Sequence, residues 1–458
     1  MEVLDESTQN LLHIIKWFLL ATLIGVVVGI LDAAFLKLLD AAIRTRNQFQ
    51  FFYVLIPFGL YIIALLARKT FKAHKDYSTD AVIQKINEDK SVSLISAAKG
   101  FLLSIATMVI GGSAGKEAPC ADVGAGISGW LAQVMKMSAA DRRKMMVCGV
   151  SAGFAGVFGV PISGALFGLE VLWVGHIFYE VMFAALVAGI TSFQVTSFLG
   201  VNYIYHPLAF SPVFSEQFFL KMILAGMCFG LVSILFIEIN KFVRVVFRFI
   251  ATRTNLFCVC MLGGILLACI GHFISPLYLG LGMAGIEGPI SGGVPASPLG
   301  FLYKILSTSI TLAAGGIGGI VTPIFFVGAQ AGASLSGFLQ VDSATLAALG
   351  LVAVLAGAAN TPLAASIMAI ELFGAEIAPY AAVACVISFL VTGRQSIYPH
   401  QRISIDSGKD TFTPKAPSVS YGRRASDKKQ YMPHRKTLLN HLKKSARHWL
   451  PKGPKKRG

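Results

Sequence analysis

The residues best placed to do chemistry lie in the stretch Gly111 to Gly126, GGSAGKEAPCADVGAG, which carries Lys116, Glu117 and Asp122 between long apolar flanks. A charge at the centre of a bilayer costs about 2.5–3.5 kcal/mol on insertion scales, so such groups face a cavity, a partner or a transported ion. The glycines allow close backbone approach, and Pro119 suits the first turn of a helix. A helix that starts inside the membrane presents unsatisfied N–H donors and about half a positive charge, which together favour an anion. A tight helix crossing would use the same glycines with no ligand at all.

The stretch occurs twice. Gly315 to Ala329 reads GGIGGIVTPIFFVGA, and Gly112, Gly115, Pro119, Gly124 and Ala125 match Gly316, Gly319, Pro323, Gly328 and Ala329 at one constant offset. Downstream of each copy, VFGVPISGALFGLEVL parallels AANTPLAASIMAIELF, with Pro161 facing Pro362 and Glu170 facing Glu371. Duplicated halves with glycine- and proline-broken apolar segments at corresponding places point to a transport site near the bilayer midplane.

The elements that must position these residues are membrane helices. The chain is 55% hydrophobic and 14% charged, with mean hydropathy +0.69, which excludes an ordinary soluble domain. Leu11 to Gly29, Phe52 to Ala67, Phe218 to Ile237 and Leu256 to Ile274 are long apolar runs. Shorter ones such as Ser93 to Met108 and Ile377 to Phe389 read as tilted, partial or re-entrant helices buried in protein. No strand-length alternation suggests a β-barrel. The expectation is an all-α polytopic membrane protein. Its first apolar run continues past Asp32, Lys37 and Asp40 as a helix extension leaving the hydrocarbon.

The amino terminus, MEVLDESTQN, is acidic and lacks the basic region of a cleaved signal peptide. All seven cysteines (120, 148, 228, 258, 260, 269 and 385) fall in or beside apolar segments and read as buried small hydrophobes, not metal ligands. Residues 401–458 hold 16 Lys or Arg against 3 Asp or Glu, a balance of +13 out of the chain's +16. With five prolines, this tail reads as a largely unfolded, cytoplasmic segment able to touch anionic lipid. It lacks the aromatic interleaving or folded module of a nucleic-acid binder. Arg142, Arg143 and Lys144 mark a polar loop. The domain expectation is a membrane region over 1–400, with repeat halves about 11–200 and 215–398.

GKEAP (115–119), GIVTP (319–323), GVPISGALFGLE, NTPLAASIMAIE and a late tyrosine, Tyr398, keep the order and spacing of one family. The chain resembles the CLC chloride channels and chloride/proton antiporters over roughly residues 10 to 400. The resemblance implies a homodimer with a pore in each subunit, antiparallel (inverted) halves of tilted, partly re-entrant helices, and chloride held where helix N-termini converge. It implies Glu117 as the gating carboxylate, beside Gly115 and Lys116. Backbone N–H groups at Ile320 and Val321 and the hydroxyl of Tyr398 would hold the anion, the side chains at 320 to 322 mattering less than the peptide dipoles.

Ala118 stands for the family's usual glycine and Val321 for its usual phenylalanine, and two further departures limit what the resemblance carries over. The family's GSGIP serine motif is missing, and the corresponding KDYSTDAV stretch offers Tyr77, Ser78 or Thr79 as the hydroxyl. The family's internal proton-transfer glutamate is here Val171, so the expectation leans to passive conduction, with Glu170 as the candidate relay if protons are moved. Fluoride or nitrate remains open beside chloride. Location in the cell's inner membrane with both termini cytoplasmic is expected, and no metal or organic cofactor. Two other classes find some footing in the residues. GISG (126–129) fits the GxSG of intramembrane serine proteases, with His176 or His272 as base, but Ser128 also belongs to a small-residue packing face. A cation transporter would use Asp122, Glu170 and Glu371, yet the repeated feature is helix starts and not paired carboxylates.

Overall fold

The computed structural model describes residues 2–70, 78–175, 179–203, 205, 216–292 and 296–403. The first half contains α1 (Glu2–Asn47), α2 (Ile56–Thr70), α3 (Thr79–Asn87), α4 (Leu94–Val109), α5 (Glu117–Val134), α6 (Ala139–Phe158), α7 (Pro161–Glu170) and α8 (Tyr179–Phe198). The second contains α9 (Glu216–Arg253), α10 (Leu256–Cys269), α11 (Met283–Ser291), α12 (Gly300–Ala313), α13 (Val321–Leu339), α14 (Ser343–Ala359), α15 (Pro362–Phe373) and α16 (Ala378–Thr392). Among the described residues, seven helices are long and apolar enough to cross a membrane. Shorter apolar helices, α4, α14 and α15, accompany them, and α5 and α6, at 18 and 20 residues, are largely buried against each other.

Contacts between the halves are reciprocal, as a twofold axis relating inverted repeats requires. Gly115 N–H donates to Gly319 O and Gly319 N–H to Gly115 O, both at 2.8 Å. Ser113 N–H donates to Thr311 Oγ1 at 2.9 Å, and Ile317 N–H to Thr107 Oγ1 at 3.0 Å. Within each half the repeated glycines let helices touch. A Cβ on Gly124 would strike the carbonyl oxygen of Gly149, and one on Gly328 that of Gly350. Ser128 lies in that α5–α6 contact, completely buried.

Two features differ from the sequence reading. Arg142, Arg143 and Lys144 form the start of α6 and not a loop, because Ser138 caps the helix and Asp141 sits in its first turn. There they pair outward: Arg142 donates to Asp89 O at 2.8 Å, and Lys144 lies 3.1 Å from Glu180. Cys258 and Cys269 are exposed and Cys228 is half-buried, so only Cys120, Cys148, Cys260 and Cys385 are buried small hydrophobes. The exposed pair lies on α10 beside the exposed apolar side chains of Phe257, Ile265 and Leu266. The fold is all-α as expected, and one two-residue parallel pair, β1 (Trp173–Val174) on β2 (Arg402–Ile403), fastens the segment after Tyr398 to the end of α7. The basic tail from residue 404 onward lies outside the described residues.

Lys304 is a lysine without any exposed surface. Its Nζ donates to Gly280 O at 2.8 Å and to Tyr278 O at 3.4 Å, and stands 5.0 Å from the centre of the Phe326 ring. It thus ties the connection before α11 to α12 and α13. Lys304→Met should keep most of the volume but leave two buried carbonyls without a donor, at a cost of about 1–3 kcal/mol. The measurement is the thermal midpoint in detergent; an unchanged midpoint would show that the staple carries no stability.

Candidate functional site

Two helices begin against each other at the centre of the molecule. Lys116 is the N-cap of α5 and Ile320 the N-cap of α13, and the Gly115–Gly319 bridge holds the two helix starts side by side. Gly111 and Gly315, at φ of 100° and 103°, turn the chain towards these starts from α4 and α12. That left-handed backbone is open to glycine at little cost.

The Glu117 carboxylate, 3% exposed, reaches from the first residue of α5 to the start of α13. Its Oε1 accepts the Val321 N–H at 2.6 Å. Its Oε2 accepts the Thr322 N–H at 3.3 Å and the Thr322 hydroxyl at 2.9 Å. Carboxylate oxygens therefore lie where the free donors and positive end of a helix favour negative charge. A Cβ on Gly115 or Gly319 would collide with this carboxylate, so both glycines are needed for it to lie there. The Lys116 backbone N–H reaches Thr322 Oγ1 at 3.5 Å, and its Nζ stands 5.5 Å from the Phe158 ring centre.

The sequence points to Ile320 and Val321 as donors and discounts the side chains at 320 to 322. The structure directs Val321 and Thr322 N–H groups at the carboxylate and adds the Thr322 hydroxyl as a third donor. The hydroxyl thus adds one side-chain donor beside the two peptide N–H groups. Ile320 is buried and its carbonyl accepts the Ile324 N–H at 3.0 Å, the first bond of α13.

The remaining candidates form a second group. Tyr398 is buried, with its N–H on Ser396 Oγ at 3.0 Å and the preceding Ile397 N–H on Ala358 O at 2.9 Å. Ser78 caps α3, its Oγ accepting the Ala81 N–H at 3.1 Å. Asp80, in the first turn of α3, accepts the His400 N–H at 3.0 Å and lies 2.6 Å from His400 Nδ1. The segments bearing Ser78 and Tyr398 are thereby joined. Tyr77 lies outside the described residues.

Val171 is completely buried and its carbonyl accepts Gln401 Nε2 at 2.9 Å. Gln401 also donates to Ala359 O at 2.7 Å, a link between α7, α14 and the Tyr398 segment that no motif announces. Glu170 and Glu371 are mutual caps. Glu170 accepts the Leu363 and Ala364 N–H groups at 3.0 and 2.8 Å, at the start of α15. Glu371 accepts those of Ile162 and Ser163 at 2.8 and 2.9 Å, at the start of α7. No group of three or more His, Cys, Asp or Glu placed to hold a metal occurs among the described residues. Of the two candidate bases for a protease, His176 lies outside the described residues and His272 has Nδ1 3.0 Å from the Tyr53 hydroxyl.

Comparison with known proteins places this geometry beside one family profile, two relatives and two solved structures. The family profile described as voltage gated chloride channel matches residues 58–393. A chloride/fluoride channel protein of Pseudomonas syringae pv. tomato is 34% identical over 87% of this chain and 89% of its own. A proton/chloride exchange transporter of Klebsiella pneumoniae is 22% identical over 77% and 80%. Among solved structures, that of a CLC-type fluoride/proton antiporter superposes with a TM-score of 0.80 at 26% identity, covering 85% of this chain and 98% of that one. A slow cyanobacterial chloride/proton antiporter gives 0.72 at 18% identity, covering 82% and 94%.

Proposed function

Because the chain belongs to the voltage-gated chloride channel (CLC) family, we propose that it conducts a small halide, fluoride as well as chloride, passively along a path gated by Glu117. It is an integral multi-pass anion-transport protein and not an enzyme. The observation that carries the gate is the Glu117 carboxylate on the three donors at the start of α13. An ionised carboxylate there competes with a halide for the same donors, and a protonated one gives them up. Gly115, Val321 and Thr322 supply the outer part of this site, with Lys116 adding positive charge nearby. Tyr398 and Ser78, joined through the Asp80–His400 pair, are its inner side.

Fluoride enters from the names of the chloride/fluoride channel relative and the fluoride/proton antiporter of similar fold. Passive conduction is supported by Val171, which cannot titrate, and by Glu170, whose two oxygens are both engaged at α15. The likeness to antiporter structures favours the second reading, proton-coupled exchange. We read the protein as a homodimer in the cell's inner membrane, with the basic face at Arg142 to Lys144 and both termini cytoplasmic. No cofactor is needed for this action.

The test uses liposomes loaded with potassium fluoride or chloride and diluted into low-halide buffer. Release on adding a potassium ionophore, read with a halide electrode, is expected for both ions. Retention of both halides by liposomes holding folded protein would overturn halide transport.

A further inference from the structure

Asp32 lies in the long first helix at a point read from sequence as leaving the hydrocarbon, yet it is only 1% exposed. Contacts from α5, α6 and α8 enclose it. Its Oδ2 has no hydrogen-bond partner among the described residues, and neither has the Oγ of Ser192, which is completely buried on α8. Both oxygens converge on one spot beside Gly156, where a Cβ would collide with each of them. The Cys120 thiol, one turn along α5 from Glu117, lies against the Asp32 carboxyl. The Tyr203 hydroxyl closes the pocket, donating to Gly156 O and standing 2.6 Å from Thr196 Oγ1.

We propose that Asp32 is a proton-binding site inside the membrane, separate from the Glu117 gate and coupled to it electrostatically across Cys120. The ionisable groups around it are few. Cys120, which itself lies within electrostatic reach of Lys116 and Glu117, faces it from α5, and Tyr203 from the segment after α8. Here α6 and α8 present Gly156, Ser192 and Thr196, which do not titrate, and the sole ionisable side chain of α4, Lys99, is exposed. Among the described residues no lysine or arginine pairs with the carboxylate. A proton delivered as hydronium neutralises the carboxylate most cheaply in so buried a place. The acid O–H then meets Ser192 Oγ, directly after a small rotation or through one water. With Asp32 ionised, negative charge one thiol away from the gate disfavours a halide at the α13 donors; protonation relieves this. The coupling to flux rests on the anion-transport reading, whereas proton binding does not.

The test is infrared spectroscopy of the full chain in liposomes through a pH titration. A carboxylic-acid C=O band that Asp32→Asn abolishes is expected, distinct from any band removed by Glu117→Gln. Ser192→Ala, a small change on α8, should shift that band by removing its hydrogen-bond partner. Flux adds a second readout: Glu117→Gln should keep a residual pH response of about two- to threefold that the double variant with Asp32→Asn loses. If the titrating bands of Asp32→Asn match those of wild type, or if Ser192→Ala leaves them unmoved, the proposal falls. Either result would leave the Glu117 reading untouched.

Discussion

Replacing Glu117 with glutamine is expected to raise halide flux at neutral pH and to leave no more than about a threefold variation across the acid-to-neutral range. The wild-type carboxylate holds three donors at the start of α13. A permeating halide needs those donors, so flux follows the fraction of molecules in which Glu117 is protonated and released. Above a carboxyl's pKa that fraction falls about tenfold for each pH unit. Flux in the wild type therefore rises in acid and falls in alkali. Glutamine has the shape of the protonated acid and no charge to lose at any pH in this range. It also cannot put two negative oxygens on the Val321 and Thr322 N–H groups. The measurement is halide efflux from liposomes buffered at a series of pH values, with folding checked by size-exclusion chromatography. A variant that keeps the full wild-type pH response would remove Glu117 from the gate.

What can be read in the sequence and what cannot divides on physical grounds. Gly115, Pro119, Gly319 and Pro323 leave a mark because backbone approach and helix initiation tolerate few residue types, so the duplication stands out without a structure. The reciprocal bridge between the starts of α5 and α13 follows from that duplication. Thr322, Thr107 and Thr311 leave none. Each is one hydroxyl amid apolar sequence, and its partner lies about two hundred residues away. Asp32 is misplaced by hydropathy for a related reason: the pattern along one helix cannot tell a carboxylate leaving the membrane from one enclosed by three other helices. The exposed Cys258 and Cys269 teach the converse, since in a membrane protein an apolar run reports lipid as readily as a core. Gln401 carries no signal because it follows the last motif, yet it bonds the Val171 and Ala359 carbonyls beside the Tyr398 segment.

An outward halide gradient is expected to drive no uphill proton movement, and the reversal potential should follow the anion alone. Moving protons between the cytoplasm and Glu117 demands a titratable side chain or a water wire, since a bare charge in hydrocarbon is costly. The position after Glu170 is Val171, completely buried, its carbonyl taken by Gln401. Glu170 itself accepts two N–H groups at the start of α15, as Glu371 does at the start of α7. Swinging Glu170 out to carry a proton would expose the α15 N-terminus and break one of two matched caps between the halves. Two charge-assisted bonds of this kind resist that movement by a few kcal/mol, on the order of 3. The decisive measurement records halide and pH together from liposomes held at a set membrane potential. Proton pumping against its gradient would overturn passive conduction. Glu170→Gln and Asp32→Asn, tested in turn, would then identify the carrier, since the carboxyl whose loss abolishes proton movement while halide flux persists is the relay.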